Sequence, residues 1–251
     1  MTSGEINSGL TLKITLWIKA VLQNAGVKGV VIGLSGGIDS GVVAALCVRA
    51  LGAENVLGLV MPCESIPEDT RDGHRIAEHL GISVKEIDLT PVFHAFAKAG
   101  DLDTGNTLNM ANAKARLRMT MEYAHSAGRL VAGTGNYSEA MTGYSTKWGD
   151  GAADFHPVAE LWKDEVKELA GHLELPEWLI DRIPSAGLWL NQSDEEEMGV
   201  TYSEIKKYFV LGPQAVSPEA SGRIAKLFAG SAHKREPVPF CSVRGWLDER
   251  N

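Results

Sequence analysis

Apolar residues along the first half of the chain follow two spacings, one typical of strands and the other typical of helices. Short runs of continuous or alternating apolar residues predict strands over residues 29–34, 55–62, 83–89 and 129–136. Apolar residues three or four positions apart predict helices over residues 10–25, 40–51, 67–81, 91–100 and 110–128, and the first helix has Leu12 and Leu16 among its apolar residues. Apolar strands that alternate with helices predict an α/β fold, with a parallel β-sheet flanked by helices on both faces.

The pattern changes after residue 136. Residues 137–157 are polar, rich in glycine and without clear periodicity, and a connection of that length is often functional. A further helix is predicted over residues 161–173, followed by short helices to about residue 228 and a basic, proline-rich tail from 233 to 240. We expect a single domain over residues 1–251 with a helical C-terminal region.

The composition narrows the class of protein. The chain has 251 residues, of which 44% are hydrophobic and 22% are charged, and its formal net charge is −8. Proteins that bind nucleic acids neutralise phosphates with Lys and Arg, so the excess of acid argues against a nucleic-acid partner. No apolar run approaches the roughly 20 residues that a membrane-spanning helix needs, and the N-terminus lacks the pattern of a signal peptide. We therefore expect a cytoplasmic protein that acts on small molecules, without a membrane partner.

The cysteines do not suggest a metal site or a nucleophile. Cys47, Cys63 and Cys241 lie far apart and form no CxxC or zinc spacing. Cys47 falls on the apolar face of a predicted helix and is expected to be a small buried hydrophobic residue.

The most informative stretch is SGGIDS at residues 35–40, between the first predicted strand and the helix that follows it. A glycine-rich turn that opens a helix favours phosphate, because backbone N–H groups and the positive end of the helix dipole point at the ligand. The Lys-Ser/Thr pair of a Walker A loop is absent after Gly37, and the glycine spacing does not match a dinucleotide fingerprint. Asp39 would repel a phosphate unless a divalent cation lay between them, so it is either a metal ligand or a cap of the helix.

The string SGGIDS resembles the pyrophosphate-binding loop of the N-type ATP pyrophosphatases, whose members cleave ATP between its α and β phosphates. Other segments resemble NAD synthetases in the same order: NMANAKARLRMTMEY, VAGTGNYSEAMTGYSTKWGDGAADFHPVAELWKDEV, IPSAGLWLNQSDEEEMGVTY and HKREPVPF. The resemblance extends from about residue 10 to the tail. It implies an adenine nucleotide alpha hydrolase-like fold.

The resemblance implies conversion of deamido-NAD (nicotinate adenine dinucleotide) to NAD, the last step of NAD biosynthesis. The nicotinate carboxylate would attack the α-phosphorus of ATP, and ammonia would then displace AMP. The match fills the available length, so we expect no glutaminase domain, and direct use of free ammonia or of ammonia from a separate protein. Mg²⁺ is the implied cofactor and a homodimer the implied assembly. The alternative is another AMP-forming ATP pyrophosphatase, such as a tRNA-modifying or GMP-synthetase-like enzyme.

The resemblance also assigns residues to ligands. ATP contacts are implied for Gly33, Leu34, Ser35, Gly36, Gly37, Ile38, Asp39, Ser40, Thr134, Lys163 and Ser185. Contacts to deamido-NAD are implied for Arg116, Lys147, Asp154, His233 and Lys234. Asp39 and Glu139 match the ligands of Mg²⁺, and the implied catalytic residues are Asp39, Glu139, Lys163 and Asp154.

Several of these residues also have an ordinary structural interpretation. Glu139 could be a glutamate at the start of a helix, stabilised by the helix dipole. Thr134 could be a helix N-cap, and Lys163 could be an exposed helix lysine. Arg118 lies two residues beyond Arg116 on a different helix face, and we interpret it as a structural residue or a secondary phosphate contact.

Overall fold

The structure is a computed structural model that describes residues 3–182 and 193–243. In these ranges the strands are β1 (Gly29–Gly33), β2 (Val56–Val60), β3 (Ser83–Glu86) and β4 (Arg129–Val131). The α-helices are α1 (Ser3–Ala25), α2 (Ile38–Leu51), α3 (Pro67–Leu80), α4 (Thr90–Ala99), α5 (Thr107–Ala124), α6 (Tyr137–Thr142), α7 (Lys163–His172), α8 (Glu177–Ile180), α9 (Asp194–Met198), α10 (Tyr202–Leu211), α11 (Pro218–Gly230) and α12 (Ala232–Arg235). None of these helices is both long and apolar enough to cross a membrane.

The described strands form one parallel sheet in the order β3-β2-β1-β4. Val30 pairs with Val56 on one side and with Leu130 on the other, so β1 lies between β2 and β4. The chain winds outward from β1 to β3 and then returns to β4 on the other side of β1. In open parallel sheets ligands bind beyond the carboxyl ends of the strands at such a reversal. The predicted α/β fold with a parallel sheet is confirmed.

Helices cover both faces of the sheet. On one face α1, α2 and α7 contribute Ile18, Leu46 and Leu169, which have no exposed surface. On the other face α4 and α5 pack Phe93 and Met110 against the strands. Both faces of β1 and β2 are therefore dry, which explains why these two strands are continuous apolar runs, whereas the edge strand β3 is largely exposed.

A third apolar cluster joins the C-terminal helices to the sheet domain. Trp162, Met198, Ile205 and Ile224 are buried in it, and Tyr137 of α6 packs against it. The ring of Tyr137 meets the ring of Trp162 edge-on, with 4.6 Å between centroids. This packing fixes α6 and the start of α7 beside the carboxyl end of the sheet.

The apolar residues of α1 divide between two faces. Leu12 and Leu16 are 59% and 55% exposed, because the buried stripe of α1 runs through Ile14, Ile18 and Leu22. One expectation from the spacing of apolar residues is wrong. The polar segment 137–157 is not structureless throughout, because α6 occupies its first six residues. A helix that short leaves too little periodicity to be seen in the sequence.

Candidate active site

A cavity of about 440 Å³ opens at the carboxyl ends of β1 and β2. The turn from β1 to α2 forms one wall. Gly36 has φ +79°, and a Cβ there would lie 2.7 Å from the carbonyl oxygen of Asp69, so this position requires glycine. Gly37 caps α2 without a side-chain hydrogen bond, which leaves N–H groups of the first helical turn for a ligand. The hydroxyls of Ser35 and Ser40 lie 3.3 Å apart beside this turn, and the arrangement suits a phosphate group.

Asp39 faces a lysine and a second carboxylate. It lies inside the first turn of α2, and Gly37 is the N-cap, so the capping interpretation of Asp39 is wrong. Lys163 Nζ lies 2.5 Å from Asp39 Oδ2 and 3.4 Å from Glu139 Oε1. Asn136 Nδ2 donates to the other Asp39 oxygen at 3.0 Å. Side chains from α2, α6 and α7 thus converge at one end of the cavity, which we call the phosphate end (Asp39, Glu139 and Lys163).

The N-terminus of α6 positions Glu139. Asn136 Oδ1 accepts the N–H of Glu139 at 3.0 Å, and Glu139 Oε2 accepts the N–H of Asn136 at 3.2 Å. Glu139 is therefore a helix-start glutamate and also faces Lys163 with its other oxygen. The N-cap is Asn136 and not Thr134, so the capping interpretation of Thr134 is wrong, and Thr134 instead lines the cavity.

Lys163 is buried rather than exposed on its helix. Its backbone N–H donates to Ser138 Oγ at 3.1 Å, which ties α7 to α6. Burial opposes the charge of Lys163, but Asp39 and Glu139 outweigh it and raise the lysine pKa above its ordinary value. Burial raises the pKa of Glu139 above its ordinary value, against the opposing charge of Lys163. The phosphate end is thus a group of two half-buried carboxylates around one buried lysine.

Asp194 was not among the residues predicted from the sequence, yet it lines the same cavity. It lies at the start of α9 and is 4% exposed. Its Oδ2 accepts from the hydroxyl of Tyr202 at 2.8 Å, whereas its Oδ1 is buried without a hydrogen-bond partner among the described residues. Burial is the main reason that the pKa of Asp194 is raised. Its sequence context, acids at a helix start, is too common to have marked it.

The carboxylates suit a cation that arrives with a phosphate ligand. In residues 3–182 and 193–243, no group of three or more His, Cys, Asp or Glu side chains could hold a metal ion. Mg²⁺ is usually held by one or two carboxylates and takes its remaining oxygens from phosphates and water. Asp39 and Glu139, which share Lys163, fit that donor set.

Arg118 of α5, and not Arg116, lines the cavity. Its Nε donates to the carbonyl oxygen of Met61 at 3.0 Å, and its Nη2 donates to Ser65 Oγ at 3.0 Å. These bonds attach α5 to the segment that follows β2. Arg118 therefore has the contacts of a structural residue, as interpreted from the sequence.

Glu122 lies one helical turn beyond Arg118 and also lines the cavity. Its carboxylate lies against the backbone of Gly33, where an added Cβ would collide with Oε1. Burial, with a smaller contribution from Asp150, raises the pKa of Glu122 to about 7. Nothing in the sequence distinguished this glutamate from others on helix faces.

A basic rim (Arg116, Lys147, His233 and Lys234) lies at the edge of the site. Arg116 Nη2 donates to the carbonyl oxygen of Lys147 at 3.2 Å, and Lys147 Nζ donates to the carbonyl oxygen of His233 at 2.6 Å. Lys234 Nζ donates to the carbonyl oxygens of Gly143 and Ser145 at 2.7 and 2.5 Å. The structure thus brings these four predicted residues together, with Arg116, Lys147 and Lys234 bonded to uncharged oxygens.

Two predicted residues stand apart. Asp154 is not part of the cavity wall; its Oδ2 accepts the N–H of Val131 at 2.7 Å and its Oδ1 accepts the hydroxyl of Tyr123 at 3.2 Å. Ser185 lies outside the described residues. The remaining predicted ATP contacts, apart from Gly36, line the cavity with Thr134 and Lys163.

Known proteins resemble this chain over nearly its whole length. The family model described as NAD synthase matches residues 10–238. The NH(3)-dependent NAD(+) synthetase of Archaeoglobus fulgidus is 45% identical over 94% of this chain and 97% of its own. A structure of NMN synthetase from Francisella tularensis has a TM-score of 0.89 at 38% identity, covering 94% of this chain and 98% of that one. The NH3-dependent NAD synthetase of Campylobacter jejuni subsp. jejuni, in complex with the nitrate ion, has a TM-score of 0.78 at 31% identity, covering 96% of this chain and 100% of that one.

Proposed function

Since the chain belongs to the NAD synthase family, we propose that it joins ammonia to the nicotinate carboxylate of deamido-NAD, converting ATP to AMP and diphosphate. The observation that carries the proposal is the cavity in which the turn at residues 34–37 meets Asp39, Glu139 and Lys163. A carboxylate is a poor electrophile, and adenylation gives it a good leaving group. Positioning and charge stabilisation then supply most of the catalysis.

The reaction proceeds in two displacements. A nicotinate oxygen attacks the α-phosphorus of ATP, and diphosphate leaves. Ammonia then attacks the acyl carbon, the C–O bond to AMP breaks, and a proton is lost from nitrogen. No protein nucleophile is needed, which agrees with Cys47, whose burial raises its thiol pKa to about 12.

The phosphate end binds the triphosphate. Backbone N–H groups at the start of α2 and the hydroxyls of Ser35 and Ser40 contact its oxygens. Asp39 and Glu139 would hold Mg²⁺, which when bound supplies positive charge to the phosphates during diphosphate release. Lys163 then leaves the carboxylates and donates to a phosphate oxygen.

The basic rim binds the second substrate. Arg116, Lys147 and Lys234 are bonded to carbonyl oxygens, so their charges remain available for phosphate. A dinucleotide carries two such phosphates, and His233 with Lys234 lies where the tail meets the glycine-rich segment 143–151. Asp154, away from the cavity wall, accepts from a ribose hydroxyl or from ammonia.

The assay uses ATP, Mg²⁺, deamido-NAD and ¹⁵N-labelled ammonium. We expect one labelled NAD, one AMP and one diphosphate per turnover. ADP in place of AMP would overturn the assigned chemistry. Equal turnover with glutamine in place of ammonium would overturn the assigned nitrogen source.

Nicotinate mononucleotide is a second candidate substrate, favoured by the similarity to the Francisella tularensis protein named NMN synthetase. The same amidation of this smaller molecule would give NMN. Both compounds present a nicotinate carboxylate and a phosphate, so the ratio of their kcat/KM values decides between them. We expect deamido-NAD to be preferred, and a preference for the mononucleotide would assign the chain to the second activity.

We also propose a homodimer. Leu12, Leu16 and Trp17 of α1 are 59%, 55% and 44% exposed, a large apolar area for one helix. Trp17 meets Phe155 edge-on at 6.1 Å, so this surface adjoins Asp154. Replacement of Leu12 and Leu16 by Glu is expected to give a monomer in analytical ultracentrifugation, whereas Val210→Glu, at an exposed apolar residue of α10, leaves a dimer. A monomeric parent protein at micromolar concentration contradicts the proposal.

We place the enzyme in the cytoplasm, the compartment that supplies ATP. Cell fractionation tests this location. Recovery of the protein with the membranes or in the medium would contradict it.

A further inference from the structure

The cavity contains an acid, Glu122, to which the amidation chemistry assigns no role. Glu122 projects from α5 toward the last residue of β1, and a Cβ on Gly33 would collide with Glu122 Oε1. The register explains the contact, since the pairing of β1 with β4 ends at Val31 and Val131, two residues before Gly33. Gly33 is therefore left uncovered by β4, and Glu122 lies against it instead.

The cavity near Glu122 is apolar and suits a flat ring. Its wall there includes Gly33, Leu34, Leu59, Val60, Met61 and Pro62, which lie at the ends of β1 and β2. We call this region, together with Arg118 and Glu122, the base end. Arg118 is half-buried and attaches the segment after β2 to α5 through the carbonyl oxygen of Met61, so it holds one wall of the region in place. A purine buries its faces against such apolar walls.

The charge at the base end excludes phosphate and favours a hydrogen-bond donor. Arg118 is committed to Met61 and Ser65, and Asp150 adds a second negative charge facing Glu122. A phosphate beside these acids would be repelled, whereas the phosphate end has the start of α2 and the two carboxylates that would hold Mg²⁺ for it. The triphosphate and the base therefore occupy opposite ends of the cavity.

We propose that Glu122 is a specificity-determining residue, whose carboxylate accepts a hydrogen bond from the exocyclic amine of the adenine of ATP. Adenine carries this donor at C6, whereas hypoxanthine and guanine carry a carbonyl oxygen there. The C6 oxygen of a 6-oxopurine offers no hydrogen to the carboxylate and repels its ionised form, so above the pKa of Glu122, about 7, the base end disfavours 6-oxopurines. The inference rests on the proposed function only in taking ATP as the nucleotide.

The experiment compares ATP with ITP, in which a carbonyl oxygen replaces the amine at C6 and N1 carries a hydrogen. Equilibrium binding and kcat/KM are measured for the parent protein and for Glu122→Gln. We expect the parent to prefer ATP by about tenfold or more, because a site built for one hydrogen bond rejects the group that cannot make it. The glutamine amide both accepts and donates, so the variant is expected to bind ITP about as well as ATP. Glu78→Gln, at an exposed glutamate of α3, is the matched control and keeps the parent preference.

Several outcomes overturn the inference. If the ratio of kcat/KM for ATP to kcat/KM for ITP is the same in the parent and in Glu122→Gln, then Glu122 does not contact the C6 group. If Glu122→Gln changes the preference between 2′-deoxy-ATP and ATP but leaves the preference between ITP and ATP unchanged, then Glu122 contacts the ribose instead. Nucleotide binding needs no turnover, so a protein that binds ATP selectively through Glu122 but makes no NAD contradicts the proposed function and not this inference.

Discussion

Positive charge is held differently at the phosphate end and at the basic rim. At the phosphate end one lysine, Lys163, lies between the carboxylates of Asp39 and Glu139. At the rim, Lys147 and Lys234 are bonded to backbone carbonyl oxygens, which do not cancel their charge. The phosphate end therefore requires an added cation before it attracts a triphosphate, whereas the rim attracts an anion without help.

On the proposed function, this difference would let one site hold two anionic substrates. A nucleotide without its metal would be repelled by Asp39 and Glu139, so the phosphate end would select the metal complex of ATP. The rim would keep a standing positive charge for the phosphates of the second substrate. Changes at the two ends should consequently affect different measurements.

The largest effect is expected from Asp39→Asn. Loss of one carboxylate weakens the cation site and the charge compensation on the phosphates, and kcat/KM is expected to fall on the order of 1,000-fold. Titration with Mg²⁺ at saturating ATP measures the change, with a raised requirement for Mg²⁺ expected. Asp164→Asn is the control, since Asp164 is 59% exposed and forms only a surface ion pair with Lys206. An unchanged Mg²⁺ titration in the first variant would remove Asp39 from the metal site.

A smaller but still large effect is expected from Lys163→Gln. Two half-buried carboxylates then face each other without their common cation, and the free energy of unfolding is expected to fall by about 2 kcal/mol. Urea denaturation with and without Mg²⁺ measures it, and Mg²⁺ is expected to stabilise the variant more than the parent protein.

Lys167→Gln tests the specificity of that result. Lys167 lies on the same helix, is 54% exposed and lies 3.6 Å from Asp181, so its loss is expected to cost little. Equal losses in the two variants would show that Lys163 has no special electrostatic task.

At the rim, Lys147→Gln is expected to raise the KM for deamido-NAD about tenfold and to leave the KM for ATP unchanged, since one charge contact to phosphate is lost. Steady-state kinetics at two salt concentrations measure it, because an exposed charge contact weakens as salt rises. Lys226→Gln, at an exposed lysine of α11, is the control. A rise in the KM for ATP alone would place Lys147 at the phosphate end.

The sequence predicted the elements whose signals are local. Each strand is a short apolar run, and the turn at residues 34–37 has glycines that its backbone requires, notably Gly36. The residues of the phosphate end could also be predicted, because Asp39, Glu139 and Lys163 each lie in a segment that resembles a known family. The distances between them could not be predicted, because α2, α6 and α7 are brought together only by the folded core.

The residues that the sequence missed depend on contacts distant in the chain. Glu122 is distinguished from other helix glutamates only by Gly33, about ninety residues away, and Asp194 only by its burial beside Tyr202. Arg116 and Arg118 have the same chemistry, and only the rotation of α5 decides which of them lines the cavity. Such packing cannot be predicted from residue type and spacing alone.

The smallest effect is expected in the pH dependence of stability, and it sharpens the contrast between the two ends of the cavity. The folded-state pKa of Glu122, about 7, lies above its usual value of 4.5 because burial disfavours the charged carboxylate. The folded protein therefore binds this proton more tightly than the unfolded chain, so the stability that Glu122 contributes is complete below pH 4.5 and is lost as the pH rises through 7. Glutamine does not titrate, so the advantage of Glu122→Gln over the parent should grow between pH 5 and pH 8.

The expected growth is on the order of 1 kcal/mol, reduced from the full linkage value because the carboxyl is partly open to the cavity. Urea denaturation of both proteins at several pH values measures it. Asp150, whose pKa burial also raises, titrates in both proteins, and Arg118 stays charged in both, so the difference between the two curves isolates Glu122. Parallel curves would mean that Glu122 is solvated like a surface acid, and the base end would then lack the dry carboxylate that adenine selection requires.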